Sequence, residues 1–283
     1  MLRRLAQRAD SELVFDHVSL VKSGPTLALR VPTGSTVAIM GAANSGKTKL
    51  LRSILGQASV ARGKITIPGE GIFVGDSEWS RRETPTSVAR RILGKGSLQL
   101  FTEAISALGL WDIRQKSCAS LGAGHQNAVH FIPALLESSK VICTDHGFDL
   151  LDISILESLW SFLRQRLTDE RVLVYSTARP DIGERADQVI VLKDQQIAFS
   201  GSPEELRRTQ VETEFEVVTE NQPGVRALVE PFQISVQEIP DGLRIRAEEG
   251  QAIAARLLVE GYGDVRYVVQ RPPSFRDALS RLI

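Results

Sequence analysis

Short apolar runs broken by turn residues open the chain. Leu13-Val14-Phe15 and His17-Val18-Ser19-Leu20-Val21 predict two short strands, and Leu27–Val31 predicts a third before the turn Pro32-Thr33-Gly34. Ser35–Met40 is a continuous apolar run of strand length that leads straight into Gly41. The period then changes. Leu50, Leu51, Ile54 and Leu55 fall on one stripe of a helix over residues 47–57, with Gly56 as its C-cap and the stripe facing a core. Residues 63–69 and Gly71–Val74 predict further strands.

Ser87–Leu93, Leu98–Leu108 and Gln126–Leu136 carry helical spacing. Val141–Thr144 and Val172–Ser176 are apolar runs short enough to be parallel strands, with a crossover helix over about 153–167 between them. Val189–Leu192 and Gln196–Phe199 flank Lys193-Asp194-Gln195 as a hairpin, and Pro203–Arg208 predicts a short helix. After about residue 210 the pattern resets. Strand Glu214–Val218 and helix Gly224–Val229 come first, followed by strands Ile234–Glu238 and Leu243–Ala247 around the hairpin turn Asp241-Gly242. Helix Ala252–Val259, strand Val265–Val269 and helix Phe275–Leu282 complete a β-α-β-β-α-β order, which suggests a ferredoxin-like unit. The expected organisation is an N-terminal tail at 1–10, an α/β domain at 11–209 with a helical part at about 80–138, and a small α+β domain at 210–283.

One segment carries specific chemistry. Gly41-Ala42-Ala43-Asn44-Ser45-Gly46-Lys47-Thr48 matches G-x-x-x-x-G-K-[ST] at every defined position, between an apolar strand and an amphipathic helix. Such a loop turns backbone N–H groups toward phosphate oxygens and adds the positive end of the following helix. Lys47 would reach the β- and γ-phosphates, and the Thr48 hydroxyl would bind Mg²⁺. Asp145, at the end of the apolar strand Val141–Thr144, is the second Mg²⁺ candidate. The plain alternatives are a glycine-rich turn for the first segment and an acidic turn residue for the second.

Bulk properties narrow the setting. The chain has 283 residues, 42% of them hydrophobic and 24% charged, which suits a globular protein with a sizeable core. Its formal net charge is zero, so no global basic field marks nucleic acid or an anionic membrane as a partner. Arg3, Arg4 and Arg8 read as a solvated tail. The two cysteines, Cys118 and Cys143, have no metal-ligand spacing, and Cys143 reads as a small core residue in a reducing cytosol. No apolar stretch approaches the ~20 residues of a membrane span, and the first residues lack the apolar core of a signal peptide. Work at a membrane would therefore go through a partner.

With these residues in place, the chain resembles the ATP-binding subunits of ABC transporters over nearly its whole length. Ala186-Asp187-Gln188-Val189-Ile190-Val191-Leu192 with Gln196-Ile197 is similar to the family's closing hairpin, and Gly201-Ser202-Pro203-Glu204-Glu205-Leu206 to the helix that follows it. Arg271-Pro272-Pro273-Ser274-Phe275-Arg276-Asp277-Ala278-Leu279 resembles the ending of ABC-2 exporter-type subunits, which carry a small C-terminal domain. The resemblance implies a P-loop NTPase of ABC type with a RecA-like core, an N-terminal antiparallel β part and a helical subdomain. It implies ATP and Mg²⁺ as cofactors, polytopic membrane subunits and a second nucleotide-binding subunit as partners, and a place on the cytoplasmic face of the cell membrane.

The departures from that pattern concern hydrolysis. The glutamate that polarises the attacking water in the family is His146 here, and the switch histidine is Ala178, in Val174-Tyr175-Ser176-Thr177-Ala178. The signature aligns with Leu121-Gly122-Ala123-Gly124-His125, without its serine, although backbone N–H groups and the helix after Gly124 remain. The Q-loop glutamine aligns with Asp76, and the adenine-stacking ring falls near Lys22. Trp79 lies in a region that docks to membrane subunits in the family, or in a solvated loop. The expected function is a transporter subunit that binds Mg-ATP, hydrolyses it weakly or not at all, and pairs with a different, hydrolysing chain. The alternatives are a regulatory or scaffolding nucleotide-binding protein, and a slow ATPase that uses His146 as its base.

Overall fold

The computed structural model describes residues 12–75, 80, 82–93, 98–167, 170–209, 213–232, 234–247, 250–260, 265–271 and 274–283. The chain divides into two compact units. The first runs to Pro203 and takes in Leu282–Ile283, and the second is Glu204–Arg281.

The first unit opens with an antiparallel sheet of three strands, β1 (Glu12–Ser19), β2 (Leu27–Pro32) and β4 (Arg62–Thr66), in the order β2-β1-β4. The two short strands expected from the sequence are one strand with an irregularity. His17 takes a left-handed φ of 49°, and the pairing with β2 slips between Phe15 and Val18. Gly63 on β4 accommodates the bulge. An added Cβ there would lie 2.3 Å from the His17 carbonyl oxygen and 2.4 Å from that of Asp16.

The central sheet has six strands: β3 (Thr36–Gly41), β5 (Gly71–Val74), β6 (Val141–Asp145), β7 (Val172–Ser176), β8 (Gln188–Lys193) and β9 (Gln196–Gly201). Their order is β5-β6-β7-β3-β8-β9, parallel except for the β8-β9 hairpin. Parallel strands covered on both faces need apolar residues on both faces, which is why β3 and β7 read as continuous apolar runs. Val37, Ile39, Cys143, Val174 and Ile190 are all buried in one core. Helix α1 (Lys47–Ile54) lays Leu50, Leu51 and Ile54 into that core. Leu55 is only partly buried, because the helix ends at Ile54 and Leu55 is the C-cap residue that leaves the stripe.

The segment between β5 and β6 is helical: α2 (Pro85–Leu93), α3 (Leu98–Ala107), α4 (Ala123–Val129) and α5 (Phe131–Leu136). The single helix expected over Gln126–Leu136 is broken at His130. Pro133 has no N–H to give to the Val129 carbonyl and its ring would crowd it, so the chain turns first and Pro133 falls in the first turn of a new helix. Helix α6 (Ile153–Leu167) is the crossover between β6 and β7. A short helix α7 (Pro180–Gly183), absent from the sequence reading, follows β7 and is tied to it by the buried Tyr175 hydroxyl, which donates to the Ile182 carbonyl at 2.9 Å. Phe131, Phe148, Trp160 and Tyr175 stack edge to face and tilted, with centroids 5.2–5.6 Å apart.

The second unit contains most of α8 (Pro203–Arg208), then β10 (Thr213–Thr219), α9 (Gln222–Val229), β11 (Ser235–Ile239), β12 (Gly242–Ala247), α10 (Gly250–Glu260), β13 (Val265–Arg271) and α11 (Phe275–Leu282). Its sheet is antiparallel in the order β11-β12-β10-β13. Phe215, Val217, Val225, Leu243, Ile245 and Leu257 form a core of its own.

Candidate functional site

The site lies at the carboxyl ends of β3, β6 and β7, where ligands gather in open parallel sheets. The loop Gly41–Thr48 leaves β3 with three left-handed backbones: Gly41 at φ 145°, Asn44 at 61° and Gly46 at 100°. Gly41 also has no room for a side chain, since a Cβ would lie 2.2 Å from the Leu192 carbonyl oxygen and 2.6 Å from Ser45 Oγ. Gly46 is the N-cap of α1, without a side-chain cap, so the first N–H groups of this helix face the loop. Ser45 is 3% exposed and its hydroxyl has no hydrogen-bond partner. A buried orphan hydroxyl next to uncapped N–H groups suits an anion with several acceptor oxygens.

Lys47 is 7% exposed, and its ammonium donates to the carbonyls of Gly41 at 2.9 Å and Ala42 at 2.7 Å. Burial pulls its pKa below the ordinary lysine value, while Asp145 and Asp149 pull the other way. The Thr48 hydroxyl donates to Asp145 Oδ2 at 2.6 Å, so two hard oxygen groups, 97 residues apart in sequence, stand side by side. Oxygen donors of this kind suit Mg²⁺, which is bound by one or two protein oxygens plus phosphate. Among the described residues no group of three His, Cys, Asp or Glu side chains could hold a metal by itself. The residues therefore fit a magnesium ion shared with a bound phosphate.

The neighbouring strand supplies residues that the sequence reading passed over. Ser176, paired with Asp145 across β6-β7, donates its hydroxyl to Asp145 Oδ1 and receives the His146 N–H at 2.9 Å. His146 has a left-handed φ of 54°. Its Nδ1 lies 2.8 Å from Asp149 Oδ2, and its Nε2 is 4.0 Å from Asp145 Oδ1. Asp149 also accepts from the Thr177 hydroxyl and, at 3.0 Å, from the Ala178 N–H. His146 and Ala178, the residues at the two positions that the resemblance ties to hydrolysis, are joined through Asp149. No local pattern marks Asp149, Ser176 or Thr177; only the register of β6 against β7 brings them together.

The signature segment is held elsewhere. Gly122 is the N-cap of α4, so the helix begins at Ala123, before Gly124. Gln126 donates its side-chain amide to the Leu121 carbonyl at 2.8 Å, and Asn127 donates to the Gly147 carbonyl at 2.5 Å. Gly124 packs beside Asp152, whose carboxylate a Cβ would approach to 3.3 Å. Among the described residues no hydrogen bond joins Gly122–His125 to Gly41–Thr48. Asp76 and Trp79 lie outside the described residues.

Residues 25–148, which contain the phosphate loop and the Asp145 strand, match the sequence model described as "ABC transporter". Over those residues the chain is similar to ABC transporters. It is similar to ABC transporter G family member 20 of Dictyostelium discoideum, 26% identical over 196 residues that cover 62% of this chain and 27% of that protein. It is also similar to the energy-coupling factor transporter ATP-binding protein EcfA1 of Lactobacillus delbrueckii subsp. bulgaricus, 25% identical over 232 residues, 70% of this chain and 81% of that one. A bacterial Atm1-family ABC exporter with ATP bound shares the fold, with a TM-score of 0.60 and 19% identity over 71% of this chain and 40% of that chain. The chain thus spans about a quarter or less of the length of several relatives, 27% of the Dictyostelium protein and 22% of the putative ABC transporter C family member 15 of Arabidopsis thaliana. No helix among the described residues is long and apolar enough to cross a membrane.

Proposed function

We propose that this chain is the ATP-binding subunit of an ABC transporter complex, of ABC-2 type, that binds Mg-ATP and hydrolyses it weakly or not at all. The observation that carries the reading is the set Lys47, Thr48 and Asp145 at a helix N-terminus without a side-chain cap, beside His146 and Ala178 where hydrolytic groups belong. ATP would be held by Gly41, Ala42, Ala43, Asn44, Ser45, Gly46 and Lys47, with Mg²⁺ on Thr48 and Asp145. Hydrolysis depends on orienting a water and stabilising charge on the γ-phosphate. Ala178 has no side-chain group for either task. His146 has one ring nitrogen turned to Asp149, leaving the other as its only free acceptor.

The partners would be polytopic membrane subunits and a second nucleotide-binding subunit, in a heterodimer on the cytoplasmic face of the membrane. Relatives named as separate ATP-binding proteins, EcfA1 and the Fe(3+) ions import ATP-binding protein FbpC of Streptomyces avermitilis, support the subunit reading. The strand order of the second unit, with its βαββαβ sequence, supports a ferredoxin-like C-terminal domain of the exporter kind.

The test is a titration of the purified chain with a fluorescent ATP analogue and Mg²⁺, together with a phosphate-release assay. Micromolar binding with negligible turnover is expected, and Lys47→Ala should weaken binding at least tenfold, about 1.4 kcal/mol. Robust turnover by the chain alone, abolished in Lys47→Ala, would instead favour the second reading: a slow ATPase whose base is His146. The pairing of His146 Nδ1 with Asp149, which leaves Nε2 facing the Mg²⁺ side of the site, is the observation in favour of that reading.

A further inference from the structure

The sheet of the second unit has two edges of different character. Strand β11, at one edge, exposes Ser235, Gln237 and Glu238, all polar, and Arg226 holds Glu238 at 3.2 Å. Strand β13, at the other, pairs among the described residues with β10 on one side only, so a row of its N–H and C=O groups faces outward. Its Tyr267 is 55% exposed and its Val269 42%. Helix α10 packs on β13 and adds Leu258 and Val259, both exposed. An open edge with apolar side chains is a template for another strand.

The register decides which side chains share a face. Phe215 and Val217 of β10 are buried in the second core, and Gln270 and Val268 of β13 stand opposite them. Glu214, Glu216 and Val218 face the other way, opposite Arg271, Val269 and Tyr267. On that open face Arg271 donates to Glu216 at 2.6 Å, and Arg244 and Arg246 hold Glu216 and Glu214 at 2.8 and 2.9 Å. Arg266 is paired with Glu220. Both cations of β13 are therefore neutralised within the chain, so neither calls for an acidic foreign strand.

The strand is instead complementary to itself. With two copies of Val265–Arg271 turned antiparallel about Val268, Tyr267 stands opposite the partner's Val269, and Val269 opposite the partner's Tyr267. Aromatic and β-branched residues are a favourable cross-strand combination. Arg266 meets the partner's Gln270 and Arg271 the partner's Val265, so no like charges stand directly opposite. All seven residues pair, and the two-fold arrangement closes at two copies.

We propose that β13 is a self-association edge, through which two copies of this chain join their second-unit sheets into one continuous antiparallel sheet centred on Val268. The pairing is independent of the nucleotide reading and of the subunit proposed to share that site.

The experiment is size-exclusion chromatography with light scattering on the full chain, without nucleotide, from about 1 to about 100 μM. The wild type should pass from one chain to two over that range. Tyr267→Lys combined with Val269→Lys sets ammonium groups against each other at both pairs and should weaken the dimer about tenfold or more. Tyr267→Glu combined with Val269→Lys sets opposite charges at the same two pairs and should return the dimer to within about threefold of the wild type. Both positions are exposed in the single chain, so each variant should keep the circular dichroism of the wild type. A wild type that stays a single chain throughout would overturn the proposal and leave the edge to a foreign strand. A dimer retained by both folded variants, or lost by both, would overturn the pairing about Val268.

Discussion

Asp187 shows how one side chain can join three elements. Its Oδ2 receives the Thr36 N–H and the Thr36 hydroxyl, each at 2.8 Å, and Arg164 donates to both of its oxygens. It thereby ties the start of β3 to helix α6 and the start of β8. Burial, the largest single influence, pushes its carboxyl up, but the bonds from Arg164 and Thr36 together hold it below the usual aspartate value. A group whose folded-state pKa is depressed stabilises the fold above its unfolded value, near ~3.9, and loses that contribution as pH falls through the lower folded value. Asp187→Asn should therefore lower stability at neutral pH by about 1 kcal/mol, a modest figure because the ion pair is partly exposed to screening solvent. The gap between variant and wild type, followed by urea unfolding, should stay constant down to about pH 4 and narrow below it. A gap that widened in acid would contradict this assignment. At this scale the sequence was only partly legible. Gly41, Lys47 and Thr48 announce themselves because their spacing is local, and Asp145 because a strand leads into it. Asp149 and Ser176 do not, since their roles arise from partners 28 and 31 residues away.

Among the elements, strands and helices with continuous patterns were readable and their interruptions were not. Helix α6, strand β6 and the β8-β9 hairpin fall where the apolar periods place them. The bulge at His17 is invisible because nothing but backbone geometry distinguishes it, and the break at His130 was missed because Leu135 and Leu136 continue the apolar stripe past Pro133. Helix α7 is too short to show a period, and it depends on a tertiary bond for its place. That bond is testable. Tyr175→Phe removes the hydroxyl that donates to the Ile182 carbonyl, which keeps the Arg185 N–H at 3.2 Å, so the cost is about 0.5–1.5 kcal/mol. The ring keeps its edge-to-face contacts with Phe148 and Trp160, so the neighbouring residues at the end of β7 should stay in place. Urea unfolding should show the loss, while nucleotide affinity changes less than about twofold. A large loss of affinity with unchanged stability would mean that α7 belongs to the binding site rather than to the frame beneath it.

At the scale of the whole molecule, two cores imply two folding units. The first gathers Val37, Ile39, Leu50 and Val174 under the phosphate loop, and the second gathers Phe215, Val217, Leu243 and Leu257 around a separate antiparallel sheet. The sequence pattern changes after about residue 210, where β10 alternates while β3 and β7 run continuously apolar, and the division between the compact units falls earlier, at Pro203. A ligand that binds only the native first unit stabilises that unit alone, by about 2.7 kcal/mol at a hundredfold excess over its dissociation constant. For a unit of this size that energy moves the midpoint by roughly 5–10 °C. Differential scanning calorimetry of the full chain should therefore resolve two transitions. Mg²⁺ with ADP should raise one of them and leave the other in place. In Lys47→Ala the raised transition should return to its ligand-free temperature, because the ammonium that grips the phosphates is gone. One cooperative transition that moved as a whole with nucleotide would mean that the two cores unfold together, and the division at Pro203 would then describe geometry without independent stability.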